Sequence, residues 1–516
     1  MASLVRFIEE HGARRSDQLA CRVDGRSLTY GQFADGVLRV ATALRELGLR
    51  PGDRVSLFLP NSVDYVLCFY GAMRAGLIAN PINPAFTAPE VRYMISDAGA
   101  AAVIGSPELL ARIGEELMAL QTALVISTGA DPPAPWHPLN ELLAIAPKPL
   151  ELPADDAPAC LPYSSGTTGR TKGIVHTHAS LSMQAIQSAN HLQFRPHDVL
   201  VQSLPLVHLY PGNIIMGGLF VAGASMVVQG HFDPPAFVTL MEEVQATCCA
   251  GVPTTYALLN QVPEDTIRAH QSSRLEIAFS AGAILQNRLR QDFHRRFGVE
   301  VLDCYGITEG AGNLVANLRY GPHPEFSCGV PYPLTEIRLV DAEGEEVPTG
   351  EVGELTARGP QIMREYWHRP DATEVTLRGG WLHTGDLARR DEAGYYYIVD
   401  RKNDMIIAGG YNVYPAEVEE VLQAHPDVAM CAVFGVPDDI KGEKPWAAVV
   451  LRQNAGTTPE NLDAHCRASL AAYKVPRQFL IVDDLPRSSV GKILRRELRD
   501  RYASAPAETK PVGDAR

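Results

Sequence analysis

Three absences narrow what this chain of 516 residues can be. It has no basic excess: 46 Lys and Arg against 60 Asp and Glu leave a net charge of −14, whereas a nucleic-acid partner needs a basic face for its phosphate backbone. It has no long apolar run. The longest weakly polar stretch, residues 214–228, is too short to span a bilayer and is interrupted by glycines, so integral membrane association is not expected. It has no Cys-x-x-Cys pair, and nine cysteines without framework spacing suit a reducing compartment. Cys248 and Cys249, in a strand-like apolar run, read as buried small hydrophobes. Arg6, Glu9 and Glu10 stand where a signal peptide would need an apolar centre, and no Ser-Lys-Leu address closes the sequence. A cytoplasmic location is the expectation. With 46% hydrophobic and 21% charged residues, the chain has the composition of a soluble globular protein long enough for at least two cores.

What is present begins with residues 164–173, Ser-Ser-Gly-Thr-Thr-Gly-Arg-Thr-Lys-Gly, directly after an apolar run. Glycines let backbone N–H groups approach phosphate oxygens, hydroxyls donate further hydrogen bonds, and Arg170 and Lys172 add charge-assisted ones. The competing reading is a solvated hairpin between two strands. A Walker A loop is excluded, because Lys172 is followed by Gly173 and not by Ser or Thr.

Short β-branched runs alternate with helical patterns at residues 54–59, 63–74, 89–98 and 101–104, and again at 199–204, 212–221, 225–229, 235–245 and 247–251. That alternation predicts two doubly wound halves with parallel sheets covered on both faces. From about 320 the texture becomes turn-rich β, with strands expected at 336–340, 353–358 and 395–399. Beyond a charged joint at 400–404, helices near 415–424 and 459–472 and strands at 429–435, 446–452 and 478–482 predict a compact α+β unit. The expected fold class is therefore α/β: an N-terminal domain over 1–400 with a β-rich part at about 320–400, a hinge at 401–403, a small mobile domain over 404–503, and a disordered tail at 504–516.

Seven further blocks follow the glycine-rich loop in order: Pro-Leu-Val-His at 205–208, Ser-Ala-Gly-Ala at 280–283, Tyr-Gly-Ile-Thr-Glu at 305–309, Trp-Leu-His-Thr-Gly-Asp at 381–386, Asp-Arg-Lys-Asn-Asp at 400–404, Gly-Gly-Tyr-Asn-Val-Tyr-Pro at 409–415 and Gly-Lys-Ile-Leu at 491–494. In this order they resemble the acyl-adenylate-forming superfamily of acyl-CoA synthetases, luciferases and nonribosomal-peptide adenylation domains, over nearly the whole chain. The resemblance implies ATP, Mg2+ and coenzyme A as cosubstrates. It implies that Ser164, Ser165, Gly166, Thr167, Thr168, Gly169 and Lys172 close over the β- and γ-phosphates, that Thr308 meets the α-phosphate and that Glu309 ligates magnesium. Tyr305 would stack on adenine, with Gly282, Ala283, Asp303 and Gly306 nearby; Asp386 would accept from the ribose, and Arg401 would support ribose or phosphate. Lys492 would bridge the carboxylate and the α-phosphate during adenylation only. The small domain would then rotate about Asn403, where the family generally has Asp or Lys, so that Gly409, Gly410 and Tyr411 line a pantetheine tunnel. Lys441, Lys444, Lys474 and Arg477 are the candidate CoA contacts.

Amino-acid-activating relatives place an aspartate for the ammonium after Pro-Leu, and Val207-His208 stands there here, which disfavours an amino acid. His208 resembles the gate near the carboxylate, with a structural histidine as the alternative. The expected acyl pocket comprises His208, Tyr210, Gly212, Asn213, Met216, Gly217, Ala281, Ile284, Gly310, Ala311, Gly312 and Asn313. Its small side chains suggest a sizeable apolar acid, fatty, aryl or polycyclic, with Asn213 and Asn313 reading a polar substituent; glycines that merely permit helix packing are the alternative. The implied activity is a carboxylate–CoA ligase. A ligase loading a carrier-protein phosphopantetheine and an inactive nucleotide-binding scaffold stay open, as does a homodimer.

Overall fold

The computed structural model describes residues 3–114, 117, 124–164, 171–270, 274–402, 404–408, 411–438, 442–452, 455–487 and 493–503. It divides into two units, the first formed by residues 1–338, 356–384 and 394–396, the second by 339–355, 385–393 and 397–516.

The first unit holds two large sheets. In one, the strands Leu19–Val23, Ser225–Val228, Val199–Gln202, Cys248–Gly251, Ile277–Ser280 and Glu300–Ile307 run parallel, with antiparallel Arg26–Thr29 on one side and Gly312–Ala316 and Val330–Pro331 on the other. In the other, Arg54–Phe58, Ile78–Pro81, Ala102–Gly105 and Leu124–Ser127 are parallel, and Lys172–Thr177 lies antiparallel to Pro158–Cys160, Tyr163–Ser164 and Glu365–Tyr366. The expected parallel sheets thus acquire antiparallel members, some of them where candidate phosphate-binding segments double back as hairpins.

Period-two alternation explains the layering. Leu200, Met226, Cys248 and Leu302 face one continuous core shared with the helices Tyr30–Glu46, Val63–Arg74 and His178–His191, while Val201, Val227, Cys249 and Val301 face a second core with Phe237, Phe293 and Phe297. Both faces are apolar, so these strands read as continuous hydrophobic runs; each buried Val, Leu or Phe contributes about 1.5–3 kcal/mol. The helices start where the sequence says they should. Ser62 accepts from the Tyr65 N–H, Thr177 and Ser180 form a capping box, and Asp233 accepts from Ala236 N–H at 2.8 Å before two prolines. The stretch expected as one helix at 212–221 is a π-helical turn, Tyr210–Ile215, running into Met216–Ala222. All nine cysteines are free and buried, as the apolar pattern around Cys248 and Cys249 required.

The strands Glu336–Val340, Val352–Arg358, Leu382–Arg390 and Tyr396–Arg401 form a four-stranded sheet. The second unit also contains the long hairpin strands Val428–Asp438 and Gly442–Leu451, flanked by Ile406–Ala408, Tyr411–Val413 and Gln478–Ile481. The helices Pro415–Ala424 and Pro459–Ser469 bury Val418, Leu422, Leu462 and Cys466 against that sheet. Each begins with a proline at its first turn, where a missing N–H costs nothing.

Candidate active site

The strand Lys172–Thr177 pairs with Tyr163–Ser164, so that Ser164 and Lys172 face each other at the base of the glycine-rich loop. Hairpin and phosphate loop are therefore compatible readings of one segment. Ser165, Gly166, Thr167, Thr168, Gly169 and Arg170 lie outside the described residues, as do Asn403, Gly409, Gly410, Lys441, Lys492 and the tail from 504.

Further along the same strand, His176 is fully buried and its Nε2 lies 2.8 Å from the Thr308 carbonyl. A carbonyl only accepts, so Nε2 carries the proton and donates. Burial lowers the His176 pKa to about 4, which keeps the imidazole neutral. Thr308–Gly310 is a 3-10 turn closing the strand Glu300–Ile307 before the chain reverses through Ala311 (φ 56°) and Gly312 (φ 126°). Glycine at 306 has a steric cause: a Cβ there would strike the Gly312 carbonyl and the Asn313 backbone where the register shifts. The segment after 360 grips this turn. Met363 N–H donates to the Glu309 carbonyl at 2.8 Å, and the Tyr366 hydroxyl donates to Glu309 Oε1 at 2.7 Å. Lys172 Nζ sits 4.9 Å from the centroid of the same Tyr366 ring.

His208 is held from another direction. Asn83 accepts the Ala85 N–H through Oδ1, which turns its amide N–H toward His208 Nε2 at 3.0 Å. That nitrogen is therefore an acceptor, and the ring proton belongs on Nδ1. His208, Asn83, Phe86, Tyr163, Val207 and Thr308 line one small cavity. A carboxylate and an α-phosphate are the groups such a cavity could bring together: a hydroxyl and backbone turn at one wall, a neutral imidazole at the other.

Asp303 and Ser280 are register partners on neighbouring parallel strands, at the carboxyl end where open α/β sheets take ligands. Desolvation pushes the Asp303 carboxyl up to about 7, despite backbone N–H bonds from Leu285 and Cys304. Gly282 follows with φ 88°, and Ala283 and Tyr305 flank the same strand ends. The Ser280 and Tyr210 side-chain hydroxyls are buried without hydrogen-bond partners among the described residues.

Part of the expected acyl wall is packing. A Cβ on Gly212 would collide with the Leu206 carbonyl, one on Gly312 with Ile214, and one on Gly310 would press on Leu314. Gly217 fits against Ala185 and the Asn213 side chain, and Met216 is fully buried in the main core. At these positions glycine permits close approach of neighbouring groups. Asn213 donates to the Ala311 carbonyl (3.3 Å) and Asn313 to the Tyr332 hydroxyl (3.3 Å), so each amide N–H has a partner within the fold. Ile284 is 41% exposed and Ala281 is buried.

In the second unit Asp386 is buried, with Arg401 Nε 3.4 Å from its Oδ1. Tyr411 is 60% exposed and stacks on Tyr473 at 4.7 Å. Lys474 holds both Glu417 oxygens at 2.6 and 2.7 Å, Lys444 faces Asp438 at 3.5 Å, and Arg477 is exposed. Arg495 is clasped by Glu419 at 2.8 Å with Asp404 at 3.5 Å. Among the described residues no group of three or more His, Cys, Asp or Glu is gathered to hold a metal. A hard cation carried by ATP needs fewer: Glu309 engages Tyr366 through one oxygen, and the single-carboxylate donor set suits a magnesium otherwise ligated by phosphate and water.

His176, Asn83 and Tyr366 escaped the sequence reading. His176 stands three residues beyond the loop and had a signal in its apolar strand; Asn83 and Tyr366 are distant in sequence and had none.

The model of the AMP-binding enzyme family matches residues 8–367, and that of the AMP-binding enzyme C-terminal domain matches 417–492. A long-chain-fatty-acid–CoA ligase of Yersinia pestis is 35% identical, covering 97% of this chain and 94% of its own length. A feruloyl-CoA synthase of Amycolatopsis sp. is 36% identical over 94% of this chain and 96% of its own. Among solved structures, an anthranilate CoA ligase in complex with anthranoyl-AMP superposes with a TM-score of 0.91 at 31% identity, covering 97% of both chains.

Proposed function

The chain belongs to the AMP-binding enzyme family, and from that membership we propose that it is an AMP-forming acid–thiol ligase: a carboxylic acid and ATP give acyl-adenylate and pyrophosphate, and CoA then takes the acyl group, releasing AMP. The observation that carries this reading is that His208 and Thr308 line one cavity while Glu309, the next residue, is joined to Lys172 through Tyr366. A carboxylate is a poor acyl donor because oxide would have to leave; attack of its oxygen on the α-phosphorus, with loss of pyrophosphate, replaces that leaving group with AMP. Such transfer is governed by positioning and charge.

In this reading Ser164, residues 165–169 and Lys172 hold the β- and γ-phosphates, the Thr308 hydroxyl meets the α-phosphate, and Glu309 faces the magnesium that travels with ATP. Neutral His208, oriented by Asn83, borders the carboxylate without drawing its charge into an ion pair. Asp303, Gly282, Ala283, Tyr305 and Gly306 border adenine, Asp386 and Arg401 the ribose, and Lys492 bridges carboxylate and α-phosphate. Rotation about 401–403 brings Gly409, Gly410 and Tyr411 to the pantetheine, with Lys444, Lys474 and Arg477 as the cations for its phosphates. The domains are 1–400 and 404–503, the location is the cytoplasm, and the acid is sizeable and apolar. Relatives named for long-chain fatty acids, ferulate and anthranilate support both aliphatic and aryl candidates.

The test is carboxylate-dependent pyrophosphate release over a panel of aliphatic, aryl and polycyclic acids, with free CoA and a phosphopantetheinyl carrier protein as competing acceptors. Acid-dependent release followed by thioester on CoA is expected. Release with thioester only on the carrier would reassign the acceptor, and no release with any acid while ATP still binds would leave a nucleotide-binding scaffold.

A further inference from the structure

We propose that Tyr366 is a positioning residue of the adenylation site, holding the Glu309 carboxylate with its hydroxyl while its ring face seats the Lys172 ammonium. The inference rests on the reading of Glu309 and Lys172 as ATP-site groups and adds a residue that the sequence blocks do not contain.

Three features make Tyr366 suited to this. It is fixed in place: Tyr366 pairs with Ile174 across the antiparallel strands, its N–H donates to Thr373 Oγ1 at 2.9 Å, and its ring packs with Ile174 and Met363, leaving it 6% exposed. It reaches both groups at once, Glu309 Oε1 at 2.7 Å and Lys172 Nζ at 4.9 Å from the ring centroid. Its segment also holds the Glu309 main chain through Met363 N–H, so side chain and backbone of the carboxylate are gripped by one short piece of chain. The physical advantage is that neither charge is neutralised. A carboxylate bonded to a phenol keeps its full charge for a cation, and an ammonium over a ring keeps its N–H groups for phosphate oxygens.

The two contacts can be separated. Tyr366→Phe keeps the ring and loses the O–H; Tyr366→Leu loses both. ATP binding is measured by calorimetry on the whole protein without carboxylic acid, titrating Mg2+, with Glu309→Gln as reference and near-UV circular dichroism to confirm folding. Tyr366→Phe should raise the Mg2+ concentration for half-maximal ATP binding by about tenfold, the scale for losing a hydrogen bond to a charged group, while ATP affinity at saturating Mg2+ changes by less than about twofold. Tyr366→Leu should show the same Mg2+ shift and lose a further two- to fivefold or so in ATP affinity. That second loss should vanish when Lys172 is already Met, because the ring then has no ammonium to seat. If Glu309→Gln shifts the Mg2+ dependence and Tyr366→Phe does not, the inference is overturned and the reading of Glu309 stands. If neither shifts it, the reading of Glu309 fails and takes the inference with it. Additive losses from Tyr366→Leu and Lys172→Met would overturn the ring contact, a result that holds even if the leucine variant folds less well.

Discussion

Around the Thr308–Gly310 turn of the first unit, the functional groups are held by neutral partners, whereas four cations of the second unit face carboxylates. His176 donates to the Thr308 carbonyl, Asn83 to His208 and Tyr366 to Glu309, and Lys172 rests over a ring. In the second unit Lys474 faces Glu417, Lys444 faces Asp438, Arg401 faces Asp386 and Arg495 faces Glu419. The difference is physical. A neutral partner fixes geometry and leaves the charge for the ligand, while a cation already paired offers an incoming phosphate only the difference between two ion pairs. The first arrangement suits a site preorganised for one polyanion. The second suits a unit whose cations first serve its own fold.

The strongest way to break this contrast is Glu419→Ala. Arg495 opens the helix Arg495–Ala503, is largely buried, and takes its bidentate support from Glu419. Removing that carboxylate should destabilise the second unit by about 3 kcal/mol, the lower end for orphaning one member of a buried pair, since Asp404 remains. Urea unfolding with a probe in the second unit reads this directly. A loss below about 1 kcal/mol would show that the pair is not structural.

Asp303 gives the counterpart in the first unit. Its folded pKa of about 7 lies above the ordinary 3.8, so on raising the pH the unfolded chain ionises first, and stability falls between roughly pH 4 and 7. Asp303→Asn should remove that decline and leave the protein more stable at pH 7.5, by an amount on the order of 2 kcal/mol, while weakening ATP binding. An unchanged pH profile in the variant would show that Asp303 is not the desolvated group.

The smallest expected effect sharpens the account of paired cations. Glu417→Gln should cost less than about 1 kcal/mol, because the Lys474–Glu417 pair is partly exposed, and by releasing Lys474 it should lower the KM for CoA roughly twofold. An unchanged KM would remove Lys474 from the CoA contacts.

What could be read in the sequence followed periodicity and turn chemistry. The helices Val63–Arg74 and Pro415–Ala424 lie where their patterns end, because Ser62 caps one and Pro415 opens the other. The strands Val428–Asp438 and Gly442–Leu451 run longer than expected, since pairing across a hairpin carries polar residues such as Glu443 and Lys444 into the ladder against their propensity. The antiparallel edges were hidden for the same reason: Gly312–Ala316 is apolar enough to be any buried strand, and only its pairing shows direction. Within the site, the ordered blocks exposed groups close in sequence, such as Thr308 and Glu309. They did not expose Asn83, which reaches His208 from 125 residues away, or Tyr366, which reaches Glu309 from 57. The glycines were the least legible, because composition does not distinguish an open pocket from a close approach; Gly212 lies against the Leu206 carbonyl and Gly312 against the Ile214 side chain.

The central claim is that adenylation and thiol transfer draw on different sets of residues, with Lys492 serving the first alone. The measurement is the pair of half-reactions in Lys492→Ala: pyrophosphate release from acid and ATP, and thioester formation from preformed acyl-adenylate and CoA. Adenylation should slow by on the order of 100-fold or more, the scale for losing one preorganised electrostatic contact, while thioester formation stays close to the normal rate. Near-normal adenylation, or an equally deep defect from the preformed adenylate, would contradict the account.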